Sequence, residues 1–81
     1  MIYKIKLGTV NDACLFSAKC NEYEEDIDYS YNKYLVDGKS FLGVISVGLD
    51  HICTVNINTD DTSVREKFKR DITLWIVEGK K

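Results

Sequence analysis

Lys39-Ser40-Phe41-Leu42-Gly43-Val44-Ile45-Ser46-Val47-Gly48 is the stretch on which the reading of this chain turns. By propensity alone, residues 41–47 suit a strand or a helix. Ser40 is a good N-cap, and Gly48 suits a C-terminal residue in the left-handed region, so the flanks predict a short helix. Val44 and one neighbour must face a core. Phe41, Leu42, Ile45 and Val47 are together too apolar for so short a helix to bury. Phe41, Leu42 and Ile45 are therefore expected to leave a small exposed patch.

The segments on either side alternate. Ile27, Tyr29 and Tyr31 interleave with Asp28 and Ser30, which predicts a strand over 26–31. Asn32-Lys33 fits a hairpin turn, and Tyr34-Leu35-Val36 a short strand that Asp37-Gly38 breaks. Ile52 to Asn58 alternates with Cys53, Val55 and Ile57 inward. At the start, Tyr3, Ile5 and Leu7 face one way and Lys4 and Lys6 the other, and Gly8 ends the run. Thr9 then opens a helix, with Asp12 placed to reach back in a near capping box. Ala13, Cys14, Ser17, Ala18 and Asn21 give that helix a face of small residues for close packing on a sheet.

Thr59 to Ser63 opens a last helix, with Ser63-x-x-Glu66 as its capping box. Val64, Phe68, Ile72, Trp75 and Ile76 form its apolar stripe. Gly79 is expected to end it, with Lys80 and Lys81 at the negative pole of its dipole. The order is β-α-β-β-α-β-α, an open-faced α+β sandwich with helices on one face of the sheet. Ile5, Ile27, Tyr29, Val44, Val55, Ile57, Phe68, Ile72 and Trp75 should share its core.

Composition bounds the function. The 81 residues suit one domain, 1–81, with no room for a deep internal cleft. Hydrophobic residues are 44% and charged residues 30%, which argues against disorder. The formal net charge of −2, without a basic block, argues against nucleic-acid binding. No apolar run has the length of a signal sequence or a membrane helix, so the protein is expected in the cytoplasm. Cys14, Cys20 and Cys53 are an odd set without a Cys-x-x-Cys pair, and read as reduced, buried, small hydrophobes rather than zinc ligands. The acidic run Glu22, Glu24, Glu25, Asp26 and Asp28 lacks the glycine-turned pattern of a hard-cation loop. No metal, cofactor or small-molecule substrate is expected.

The segment at 39–48 resembles the K-S-x-x-G-V-x-S-x-G motif of HPr, the histidine-containing phosphocarrier family of the sugar phosphotransferase system. The match runs without gaps from about Thr9 to Asn58, and the order of elements is the HPr order. The resemblance implies a four-stranded antiparallel sheet of order 1-4-2-3, covered on one face by three helices. It also implies phosphotransferase-system proteins as partners.

The departure lies at the phospho-acceptor. HPr carries phosphate on the histidine of an H-x-R-P-A segment opening its first helix. Here Thr9, Asn11 and Asp12 stand in place of the histidine, arginine and proline, and only Ala13 agrees. A phosphoimidazole needs an imidazole, and the Asp12 carboxylate would repel a phosphate. The one histidine, His51, is expected in a surface loop entering the fourth strand, distant from the first helix. Ser40, by contrast, matches the serine phosphorylated by a dedicated kinase in Gram-positive HPr proteins. Its plain role is the cap; the resemblance adds a regulatory phosphorylation site. In that family the exposed apolar residues of this helix dock on partner proteins, which assigns partner binding to Phe41, Leu42 and Ile45. No nucleophile–base pair points to an enzyme. Two functions stay open: a non-catalytic regulatory or interaction domain related to the phosphotransferase system, and an active phosphocarrier that uses an unconventional acceptor.

Overall fold

Alternation places one row of each strand against the helices. In the computed structural model, which describes residues 2–77, the strands are β1 (Ile2–Lys6), β2 (Ile27–Tyr31), β3 (Tyr34–Asp37) and β4 (Ile52–Ile57). They form one antiparallel sheet of order β1-β4-β2-β3. Lys4 faces Thr54, Ser30 also faces Thr54, and Ser30 pairs in turn with Leu35. Ile5, Ile27, Tyr29, Cys53, Val55 and Ile57 are buried beneath the helices. Asn32 takes φ 53° in the two-residue turn between β2 and β3, a conformation that asparagine tolerates better than most residues.

The helices are α1 (Val10–Cys20), α2 (Phe41–Val47) and α3 (Thr62–Ile72). All nine residues expected in the core are buried there. Phe16 joins them, its ring 5.5 Å from that of Tyr29 and edge-on to Trp75 at 6.0 Å. Phe68 lies edge-on to Tyr23 at 5.3 Å, which ties α3 to the loop after α1.

Several local expectations are corrected. The buried face of α1 is Ala13, Phe16, Ser17 and Cys20; Cys14, Ala18 and Asn21 are exposed. Phe16 fills the space between sheet and C-terminal turn, and that sets the rotation of the helix. Cys14 is therefore not a core residue, unlike Cys20 and Cys53. The N-cap of α3 is Asp61, whose carboxylate accepts from the N–H groups of Ser63 and Val64; Ser63 already lies inside the helix. The helix stops at Ile72 and tightens into a 3-10 turn, Thr73–Trp75. Ile76 then bridges to Ile5, and Val77 N–H donates to Lys4 C=O at 2.9 Å. Ile76 thus leaves the helical stripe and runs along the outer edge of β1, where it occupies an otherwise open strand edge. The expected stop at Gly79, with Lys80 and Lys81, lies outside the described residues. Gly48 has φ 99° and ψ 158°, an extended positive-φ conformation essentially restricted to glycine, rather than the left-handed helical one.

Candidate functional site

The turn into α1 is built from its own side chains. Gly8 ends the run of β1, and Thr9 is extended at φ −137°, ψ 162°. Its hydroxyl accepts from Asp12 N–H at 3.0 Å, and the Asp12 carboxylate accepts from Gly8 N–H at 3.3 Å. This is the near capping box read from the sequence, with Gly8 rather than Thr9 as the returning donor. Two backbone donors at this helix start are thus satisfied internally, one by an anion. Asn11 is exposed beside them.

His51 does not enter this turn. Its ring stacks on Tyr31 at 4.3 Å, with 16° between the planes. The loop that carries it is less remote from α1 than expected, because Asp50 N–H donates to Leu7 C=O at 2.8 Å and the Asp50 carboxylate pairs with Lys6 at 3.4 Å. Asp50 holds φ 67° in this loop.

The turn into α2 is held from three sides. Ser40 is its N-cap, with φ −93° and ψ 107°, and its hydroxyl accepts from Gly43 N–H at 3.1 Å. Gly43 lets the cap and β3 approach closely: a Cβ there would lie 3.2 Å from Ser40 Oγ and 3.3 Å from Val36 Cβ, so a larger residue would press on both. Upstream, Asp37 accepts from Lys39 N–H at 2.9 Å, and its carbonyl accepts from Ser40 N–H. From α1, Ser17 Oγ donates to Gly38 C=O at 3.0 Å, and Asn21 Nδ2 donates to Lys39 C=O at 2.9 Å. From the sequence Ser17 and Asn21 are expected only as small residues of the packing face. Their polarity at i and i+4 on one helix face was the available signal that they serve as anchors.

Beyond the cap, α2 presents one large apolar side chain fully to solvent: Leu42 is 76% exposed. Phe41 and Ile45 are half-buried and lean on the core. The expected patch is therefore centred on Leu42, with Phe41 and Ile45 as its partly covered flanks. The short helix can do this because Val44 and Val47 already fill its sheet-facing side.

The remaining reactive groups are quiet. Burial, with the charge of Asp37 adding, pushes the Cys20 thiol up to about 12, and burial also raises that of Cys53. Neither is a ready nucleophile, since the thiolate is the reactive form. Asp26 and Asp28 line an open groove of about 480 Å³ with Asp37 and Asn58. Asn58 Nδ2 donates to the Asp28 carboxylate at 3.3 Å. Glu22 and Glu24 are exposed. Among the described residues, no three His, Cys, Asp or Glu side chains are grouped to hold a metal ion. Among the same residues no helix is long and apolar enough to cross a membrane.

No family model matches the chain, and no curated protein matches it. Solved structures do. The chain superposes on HPr-C-His from Thermoanaerobacter tengcongensis with a TM-score of 0.71, at 19% identity over 89% of each chain. It superposes on the phosphocarrier protein HPr of Bacillus anthracis str. Ames with the same TM-score, at 18% identity over 95% of this chain and 96% of that one. With its sheet order, its three helices on one face and these superpositions over nearly the whole chain, this protein has the HPr fold.

Proposed function

We propose that this chain is a non-catalytic, HPr-like regulatory and protein-interaction domain of the cytoplasm, related to the phosphoenolpyruvate-dependent sugar phosphotransferase system. One observation carries the reading. In an HPr fold, the first turn of α1 is closed on itself by Thr9 and Asp12, with no imidazole and no arginine in it. A phosphate there would meet the Asp12 carboxylate instead of a cation, so phosphohistidine transfer through this turn is lost.

The retained function is assigned to α2. Ser40 is exposed, follows Lys39, and heads a helix with no acidic residue in its first turn. A phosphate on its hydroxyl would add about −1.5 to −2 charges where the helix N-terminus favours an anion. Leu42 lies two residues away, so the added charge would sit at the rim of the apolar contact formed with Phe41 and Ile45. Phosphorylation would thus change partner choice with little change in fold. The partners are proteins of the phosphotransferase-system type.

The test incubates the protein with phosphoenolpyruvate and the general phosphotransferase enzyme, and separately with ATP and HPr kinase. Phosphate is then mapped by mass spectrometry. The expected result is no phosphate on Thr9 or His51 in the first reaction, and phosphate on Ser40 in the second, absent in Ser40→Ala. Acid-labile phosphate on His51 in the first reaction would establish the other reading, an active carrier with an unconventional acceptor. Leu42→Glu should stay folded and lose the partners that the unsubstituted protein captures; if it unfolds, Leu42 is a core residue and the docking assignment fails.

A further inference from the structure

The face of the sheet turned away from the helices carries an ordered charge pattern that the proposed function does not use. The strand registers lay it out as a grid. Lys4 and Lys6 stand along β1 at one side; Asp28 and Asp37 pair directly across β2 and β3 at the diagonally opposite corner. Ile52 neighbours Lys6, and Leu35 lies one step along β3 from Asp37. Ile52 and Leu35 are 56% and 67% exposed, and small polar side chains, Thr54 and Ser30, occupy the middle. Like charges opposite each other, as at Asp28 and Asp37, destabilise a sheet. Here each carboxylate accepts one hydrogen bond, from Asn58 Nδ2 and Lys39 N–H, and among the described residues neither is paired with a cation. Among the described residues Lys4 has no ion-pair partner, whereas Lys6 is paired with Asp50.

We propose that this open face is a self-complementary contact for a second copy of the chain. With strands about 4.8 Å apart and residues about 3.4 Å apart along them, a two-fold axis lying diagonally in the face, from the Ile2 corner to the β2–β3 hairpin, superimposes opposites. It lays Lys6 over Asp37 of the second copy and Ile52 beside Leu35, and it sets Lys4 between Asn56 and Asp28, ~3 Å from the Asp28 position and within reach of its carboxylate for a flexible lysine side chain. The symmetry makes each contact twice, as an isologous interface requires. The two sheets then cross near a right angle, one of the two ways in which twisted sheets pack face to face. A four-stranded face is small beside a standard protein interface, so the dimer is weak and dependent on concentration.

Sedimentation velocity over about 10 μM to 1 mM protein, the range suited to so small an interface, tests this. Self-association is expected, and added salt should weaken it. Lys4→Glu and Asp28→Lys should each weaken it at least ~tenfold, because each places like charges together at both symmetric positions. A 1:1 mixture of the two variants should regain association, because both pairs are then opposite in charge. A thermal melt checks that each variant is folded; one that is not is replaced by Lys4→Gln or Asp28→Asn, which remove the attraction without repulsion. A monomer throughout the range, a dimer that the substitutions leave unchanged, or a mixture of folded charge-reversal variants that stays monomeric would each overturn the proposal.

Discussion

Replacing Ser40 by alanine removes one acceptor and little else. Its hydroxyl takes the Gly43 N–H at 3.1 Å on the exposed side of α2, so truncation leaves no cavity. A helix of seven residues depends on its ends and its packing for stability, because so short a helix does not persist alone. Loss of such a cap costs about 1 kcal/mol, within a range of roughly 0.5–2. Unfolding entropy of ~2.1 cal/mol/K per residue over 81 residues comes to ~0.17 kcal/mol/K, so that loss lowers the midpoint by ~6 °C. Ser40→Asp keeps an acceptor for the same N–H and places an anion at the positive end of the helix. It should melt no lower than the unsubstituted protein and at most ~6 °C above it, since an exposed anion at a helix N-terminus contributes about 0.3–1 kcal/mol. Ser46→Ala is the control: that hydroxyl donates to Gly43 C=O from an exposed position, and its loss should stay within ~0.5 kcal/mol. Calorimetric melts of the four proteins decide the matter. If Ser40→Ala melts with the unsubstituted protein, or Ser40→Asp falls as far as Ser40→Ala, the cap is not what holds this turn, and tolerance of a phosphate there loses its physical basis.

Phe68 is fully buried against Tyr3 and Tyr23, so Phe68→Ala should cost ~3–5 kcal/mol and leave much of so small a domain unfolded by circular dichroism at 37 °C. Asp61→Ala should lose ~1 kcal/mol in urea titration while Ser63→Ala stays near zero, because Asp61 caps α3; equal losses would restore Ser63 as the cap. Burial pushes the Asp71 carboxyl up, but hydrogen bonds from Tyr23 at 2.5 Å and Lys67 at 3.0 Å, with the Lys67 charge, outweigh it and hold the carboxyl below its ordinary value. The group then contributes stability above its unfolded pKa of about 3.9 that is lost as pH falls through the lower folded value. Urea midpoints measured from pH 6 to pH 2 should therefore fall less steeply for Asp71→Asn than for the unsubstituted protein; parallel slopes would show that the carboxylate is not held low.

Much of this architecture is local and was legible from the residues. Ile5, Tyr29 and Val55 sit on period-two runs, and a strand buried on one face has little choice of which side goes inward. Thr9 and Ser40 cap helices because a hydroxyl at those positions meets a free N–H within its own turn. The sheet order entered through the K-S-x-x-G-V-x-S-x-G resemblance, since alternation says which side of a strand is buried and nothing about its neighbour. What tertiary structure decided were the places where two local solutions are nearly equal. Cys14 and Phe16 compete for the buried side of α1, and Phe16 wins because Tyr29 and Trp75 leave an aromatic-sized space between them. Ile76 has the right spacing to continue the stripe of α3, yet it pairs with β1, where Val77 and Lys4 satisfy backbone groups that a longer helix would have left open at the sheet edge. Phe41, Leu42 and Ile45 are alike in sequence. Only Leu42 stays fully in solvent, because a seven-residue helix has one side against the sheet and Val44 and Val47 already occupy it. Such choices rest on volume and hydrogen-bond partners supplied by residues distant in the chain, and no window of sequence contains them.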